Sequence, residues 1–169
     1  MLMNRTNDCW CWNRMKQKIR KIIITLFVLY SAFFFIGSTL APIMAHAKQY
    51  DFSAILTSLY MYSCHQQPDR SFWILGYPVA LCCRCLGFYI GVFICGLVDI
   101  FDRLKMSFKC FIALFVISVT DIYINYGLAE KHNTGNLTRF VIGLIMGLLF
   151  VSIISYLFKK EWRIKKYED

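Results

Sequence analysis

Two stretches of this chain carry no formal charge for long enough to cross a bilayer, and they fix the class of fold before anything else is read. Ile22 to Ala47 is uncharged with His46 neutral, and Phe140 to Phe158 is uncharged throughout. A hydrocarbon core about 30 Å thick takes about 20 helical residues. In lipid the backbone must satisfy its own hydrogen bonds, so such stretches are helices. Two weaker candidates lie between them. Val79 to Ile100 is interrupted by Arg84 near one end and Asp99 near the other, and Phe108 to Leu128 by Lys109 at its start and Asp121 inside it. We read four spans, at about 22–44, 79–100, 108–128 and 140–158, with Pro42 marking the outer end of the first. The fold class is all-α, an integral membrane four-helix bundle. Charged residues make up 17% of the chain, against roughly 25% in soluble domains. A globular enzyme with a large water-soluble core is excluded.

The basic residues orient the spans. They crowd into the tail 1–21 (Arg5, Arg14, Lys16, Lys18, Arg20, Lys21), the connection between spans two and three (Arg103, Lys105, Lys109) and the tail 159–169 (Lys159, Lys160, Arg163, Lys165, Lys166). Four spans put all three segments on one side, and an excess of Lys and Arg marks that side as cytoplasmic. Both termini are therefore expected in the cytoplasm, in a multi-pass protein of the plasma membrane, with loops 48–78 and 128–138 facing outward. The net charge of +9 is topological, and no nucleic-acid partner is implied. Ala45-His46-Ala47 resembles a signal-peptidase site, but the apolar run before it exceeds the usual h-region of about 7–15 residues, so a retained helix is favoured. Within the first outer loop, Phe52, Ile55, Leu56, Leu59 and Tyr62 recur at helical spacing. This is an amphipathic helix, at the membrane surface or against the bundle.

That helix delivers the chain to its one chemically dense segment. Cys64-His65-Gln66-Gln67-Pro68-Asp69-Arg70-Ser71-Phe72 is followed by Gly76-Tyr77-Pro78 and then by Cys82-Cys83-Arg84-Cys85-Leu86-Gly87. The double motif resembles a family of small prokaryotic multi-pass membrane proteins of unknown function, with the pattern C-H-Q-x-P-x-R-S, then C-x-R-C-x-G-x-Y-x-G. The matching positions are Cys64, His65, Gln66, Pro68, Arg70, Ser71, Cys82, Arg84, Cys85, Gly87, Tyr89 and Gly91. Asp121, Arg139, Gly143 and Gly147 look like further family positions, and the resemblance covers residues 52–150. It implies a membrane fold and no established activity. Cys83 departs from the pattern, where a small residue such as Ala is expected.

The residues themselves point to sulfur chemistry. Cys82 and Cys85 are three apart, which puts both on one helix face. Cys64 and His65 complete a candidate metal set of Cys64, His65, Cys82 and Cys85. Zinc accepts such ligands in tetrahedral sites, and Cu(I) is favoured by soft sulfur. Against this stands a disulfide from Cys64 to Cys82 or Cys85 stapling the loop to span two, in which case no cofactor is needed, and a working dithiol is the third possibility. Spacing does not fix connectivity. Cys83 is off the shared face; Cys95 lies mid-span and Cys110 at the inner interface, so neither is expected at an outer site; Cys9 and Cys11 are two ligands alone. His46 and His132 read as plain loop residues.

Ionisable residues inside a span are costly and need a partner or a role. Asp121 is expected to pair with Arg84 or Arg139, and Arg70, Arg84 and Arg139 are candidates for gripping an anionic group. Asp99 and Asp102 read as solvated beside Arg103. Gly87, Gly91 and Cys95 on one span, and Arg139, Gly143 and Gly147 on another, form small-residue stripes suited to close helix packing. The functional readings are a metal-binding membrane protein, zinc first, in a structural or transport-linked role; a metal- or thiol-dependent membrane enzyme acting on a lipid or anionic envelope substrate; and an accessory membrane protein with a stapling disulfide. Enzymatic activity and oligomeric state are left open. The bilayer is the implied partner.

Overall fold

The structure is a computed structural model. It describes the backbone of residues 5–101 and 135–165 and isolated positions Ile112, Phe115, Val116, Val119, Thr120 and Tyr123, with side chains described from residue 14 to 101, at those positions, and from 135 to 158. The first helix, α1, runs Arg5–His46. Nothing in the uncharged run interrupts it, and it extends back through the basic tail. Pro42 does not end it but lies inside it, fully buried. A proline has no N–H for the carbonyl four residues earlier. Here that carbonyl is Ser38's, and the Ala80 N–H donates to it at 3.3 Å. A feature expected to terminate the span instead docks the following loop onto it.

The helix stops four residues later through a Schellman turn. Lys48 N–H donates to Ala45 O and Gln49 N–H to Met44 O, both at 3.0 Å, with Lys48 in the left-handed region at φ 60°. This reverses the chain into α2, Tyr50–Tyr60. α2 lies against α1 and runs antiparallel to it: Ser53 Oγ donates to Ala41 O at 2.9 Å, and Tyr60 OH to Phe33 O at 3.3 Å. The Tyr60 ring is 5.0 Å from that of Phe34 and sits over Gly37, where a Cβ would run into its hydroxyl.

After a 3-10 turn at Pro68–Arg70 comes a feature the all-α reading did not contain. β1 (Trp73–Ile74) pairs antiparallel with β2 (Tyr77–Pro78). The two linking residues, Leu75 and Gly76, have φ of 52° and 83°, the signature of a type I′ hairpin turn. Then α3, Cys83–Ile100, begins. It returns antiparallel along α1, held by Ala80–Ser38 at one end and Arg20–Asp99 at the other. The last helix, α4, spans Asn136–Lys165 and packs parallel to α3. Gly143 faces the Arg84 backbone, Gly147 faces Phe88 and Val92, and Gly87 and Gly91 face Phe140 and Leu144. A Cβ at any of the four would meet backbone atoms of the other helix.

Among the described residues, three helices are long and apolar enough to cross a membrane: Arg14–His46, Cys83–Ile100 and Asn136–Phe158. The expected third span, Phe108 to Leu128, falls largely outside the described residues. Its six described positions are all helical, with Ile112, Phe115, Val116, Val119 and Tyr123 exposed. The main core lies at the cysteine end, built from Phe34, Ala41, Leu56, Tyr60, Cys64, Val79, Leu81 and Leu86.

Asp99 corrects the reading of the sequence. It is 1% exposed, not solvated, and Arg20 across the helix interface is its partner.

Candidate functional site: a three-sulfur cluster

Each cysteine of the cluster is placed by a different local device. Cys64 follows α2, in a turn where the Ser63 and Cys64 amides both donate to Tyr60 O at 3.0 Å. Cys82 is the N-cap of α3, with extended backbone, and Cys85 sits in its first turn. The Cys82 and Cys85 sulfurs are 3.3 Å apart. The Cys82 amide donates to Cys64 Sγ at 3.2 Å, and all three sulfurs lie within 4.8 Å of one another. Two segments separated by the hairpin thus converge on one point. The five cysteines with described side chains, Cys64, Cys82, Cys83, Cys85 and Cys95, are free thiols, and 3.3 Å is well beyond the S–S bond length of about 2.05 Å.

Gln66 holds the turn in shape. It occupies the left-handed region at φ 50°, and its side-chain Nε2 donates to Thr57 O, near the end of α2, at 2.6 Å. Its amide also reaches the Cys64 sulfur. The sequence marked Gln66 as a matching position of the motif but offered no signal for this role.

The electrostatics follow from proximity. Hydrogen bonding from the Cys82 thiol, then from Cys85, pulls the Cys64 thiol far below the ordinary value, with the Cys82 and Gln66 amides adding to the effect and burial opposing it. A bound cation would draw on the Cys64 thiolate and on deprotonation of its neighbours, because metal ligation requires deprotonated sulfur and compensates its charge.

Not every candidate joins the trio. His65 is exposed and is not among the three convergent ligands. Cys83 is fully buried. Arg84 and Arg139 are half-buried at the first turns of α3 and α4, and Arg139 is within electrostatic reach of Cys83. Arg70 is exposed and lies 3.8 Å from Asp69, a surface pair of the kind worth little. Asp121 lies outside the described residues, as do His132 and Cys110. Cys95 lies in the second half of α3, away from the trio, with its sulfur 3.6 Å from Leu148 O. Asn136, at the start of α4, ties the loop to the bundle through Asp69 O at 3.4 Å and Ser71 O at 3.3 Å.

The chain is similar to other proteins over the segment that carries the cluster. A family model described as "Predicted membrane protein (DUF2085)" matches residues 64–153, from the first cysteine of the cluster into α4. An uncharacterized protein of Methanocaldococcus jannaschii is 31% identical over 155 residues, which cover 85% of this chain and 94% of the relative. An uncharacterized protein of Methanothermobacter thermautotrophicus is 30% identical over 90 residues, covering 53% of this chain and 81% of that protein. No solved structure matches.

Proposed function

We propose, for a chain that belongs to this family of predicted membrane proteins, that it binds one soft or borderline metal ion at Cys64, Cys82 and Cys85 on the outer side of the membrane. The observation that carries the reading is the convergence of three sulfurs, drawn from both halves of the motif, to within 4.8 Å of one another. Zinc is the first assignment, because three protein ligands plus an open position is one of its standard arrangements. Cu(I) is the second, because soft thiolates select it. With three sulfurs, the fourth position falls to His65, to water or to a ligand. The role is structural or transport-linked. Arg70, Arg84 and Arg139 are the residues we assign to an anionic lipid or envelope ligand, and Asp121 to an ion pair with Arg84 or Arg139. The outward placement rests on the distribution of Lys and Arg, with both termini in the cytoplasm of a plasma-membrane protein.

Elemental analysis of protein purified without chelator tests the site. The reading expects about one ion per chain, lost in Cys64→Ser, Cys82→Ser and Cys85→Ser and kept in Cys83→Ser, because ligands close on a metal together. Metal retained in His65→Ala leaves a three-sulfur site with the fourth position open to water or a ligand. Substoichiometric metal with a Cys64 disulfide in the mass spectrum overturns the reading in favour of the staple. Labelling of Asp69→Cys in intact cells by an impermeant thiol reagent tests the orientation.

A further inference from the structure

α2 has two apolar faces, and only one of them is covered. Leu56 and Tyr60 are buried against α1. On the other side Phe52, Ile55 and Leu59 are exposed, with Met61 beyond the helix end. The only charge on α2 is Asp51, in its first turn. From there the helix descends. Ser53 is level with Ala41, and Tyr60 is level with Phe33, Phe34 and Gly37. These last three residues lie near the middle of the uncharged run Ile22 to Ala47. A helix of 11 residues at about 1.5 Å per residue travels about 16 Å, roughly half the hydrocarbon thickness.

We infer that α2 is a re-entrant helix that turns back into the cysteine-side leaflet, and that the acyl chains of that leaflet cover its Phe52–Ile55–Leu59 face. The exposed face continues the one that α1 presents to lipid through Phe33, Ile36 and Ile43, all exposed and apolar. Re-entrant helices are tolerated at membrane depth where their backbone is satisfied internally, which α2 achieves by being helical and packed on α1. The consequence concerns access. Cys64 is released from the foot of α2 beside the start of α3, so the sulfur cluster sits at the membrane interface, within reach of lipid as well as water. This inference rests on the membrane assignment and does not depend on a metal.

The test is depth-dependent fluorescence quenching in proteoliposomes. Phe52→Trp, Ile55→Trp and Leu59→Trp are each placed in a chain with Trp10, Trp12, Trp73 and Trp162 changed to Phe. Lipids brominated deep in the acyl chain should quench Leu59→Trp more strongly than Phe52→Trp, and aqueous acrylamide should lose its effect along the same series. Acrylamide quenching of Leu59→Trp equal to that of Phe52→Trp overturns the inference, because α2 then lies in water. Loss of both kinds of quenching, with crosslinking between chains, also overturns it and makes the face a contact between two copies. The unsubstituted chain gives an independent measurement: a photoactivatable acyl chain should label the peptide carrying Ile55 and Leu59. Its absence from the labelled peptides overturns the inference without reliance on any variant.

Discussion

Arg20 on α1 donates from Nη1 to both carboxylate oxygens of Asp99 on α3, at 3.1 and 3.0 Å, at the end of the bundle opposite the cysteines. The two side chains are 3% and 1% exposed. A buried pair of this kind adds little over well-packed apolar residues, yet removing one partner strands a charge, at a cost of about 3–5 kcal/mol. Asp99→Asn and Arg20→Gln should each lower folded yield and thermal midpoint in detergent. The double variant should recover part of the loss. Strict additivity would show that the two charges act independently.

The glycine contact between α3 and α4 makes a second demand. A Cβ on Gly143 would strike the Arg84 carbonyl, which is main chain and does not swing aside. Gly143→Val must push the helices apart, and overpacking of this sort costs about 1–3 kcal/mol or more. Gly135 has nothing within 4 Å of such a Cβ, so Gly135→Ala should stay within about 0.5 kcal/mol of the parent chain. Equal loss of folded yield in both variants would remove close helix approach as the explanation.

These two contacts show what the sequence discloses and what it withholds. The spans at α1 and α4 are legible because an uncharged run of that length has no other stable conformation in lipid. Cys82 and Cys85 are legible as a pair from their three-residue spacing, although the structure brings them together as the N-cap and a first-turn residue of α3 and not as two residues on one helix face. Asp99 is not, because its partner lies 79 residues away on a different helix, while Arg103 stands nearby in the chain and suggests a local, solvated reading. Pro42 misleads for a similar reason. Its effect on a helix depends on whether something else uses the released carbonyl, and Ala80 does. The hairpin is hidden because Leu75, not Gly or Asn, adopts the left-handed conformation at its first turn position.

The role of Gln66 leads to the sharpest test of how the sulfur cluster is built. Its φ of 50° aims its amide at the Cys64 sulfur, and its side chain ties the turn to Thr57 O. Glycine enters the left-handed region freely, so Gln66→Gly keeps the backbone and the amide and loses only the side-chain bond, worth about 0.5–1.5 kcal/mol. Proline fixes φ near −65° and has no N–H, so Gln66→Pro loses both the geometry and the donor. The expected order of metal retention against a competing chelator is parent, then Gln66→Gly somewhat weaker, then Gln66→Pro empty. Lowering the pH should release the ion from the first two, because protons compete with the metal for thiolate sulfur. A Gln66→Pro chain that folds and holds metal as well as the parent would show that the trio does not depend on the Cys64 turn, and would separate the cluster from the motif that carries it.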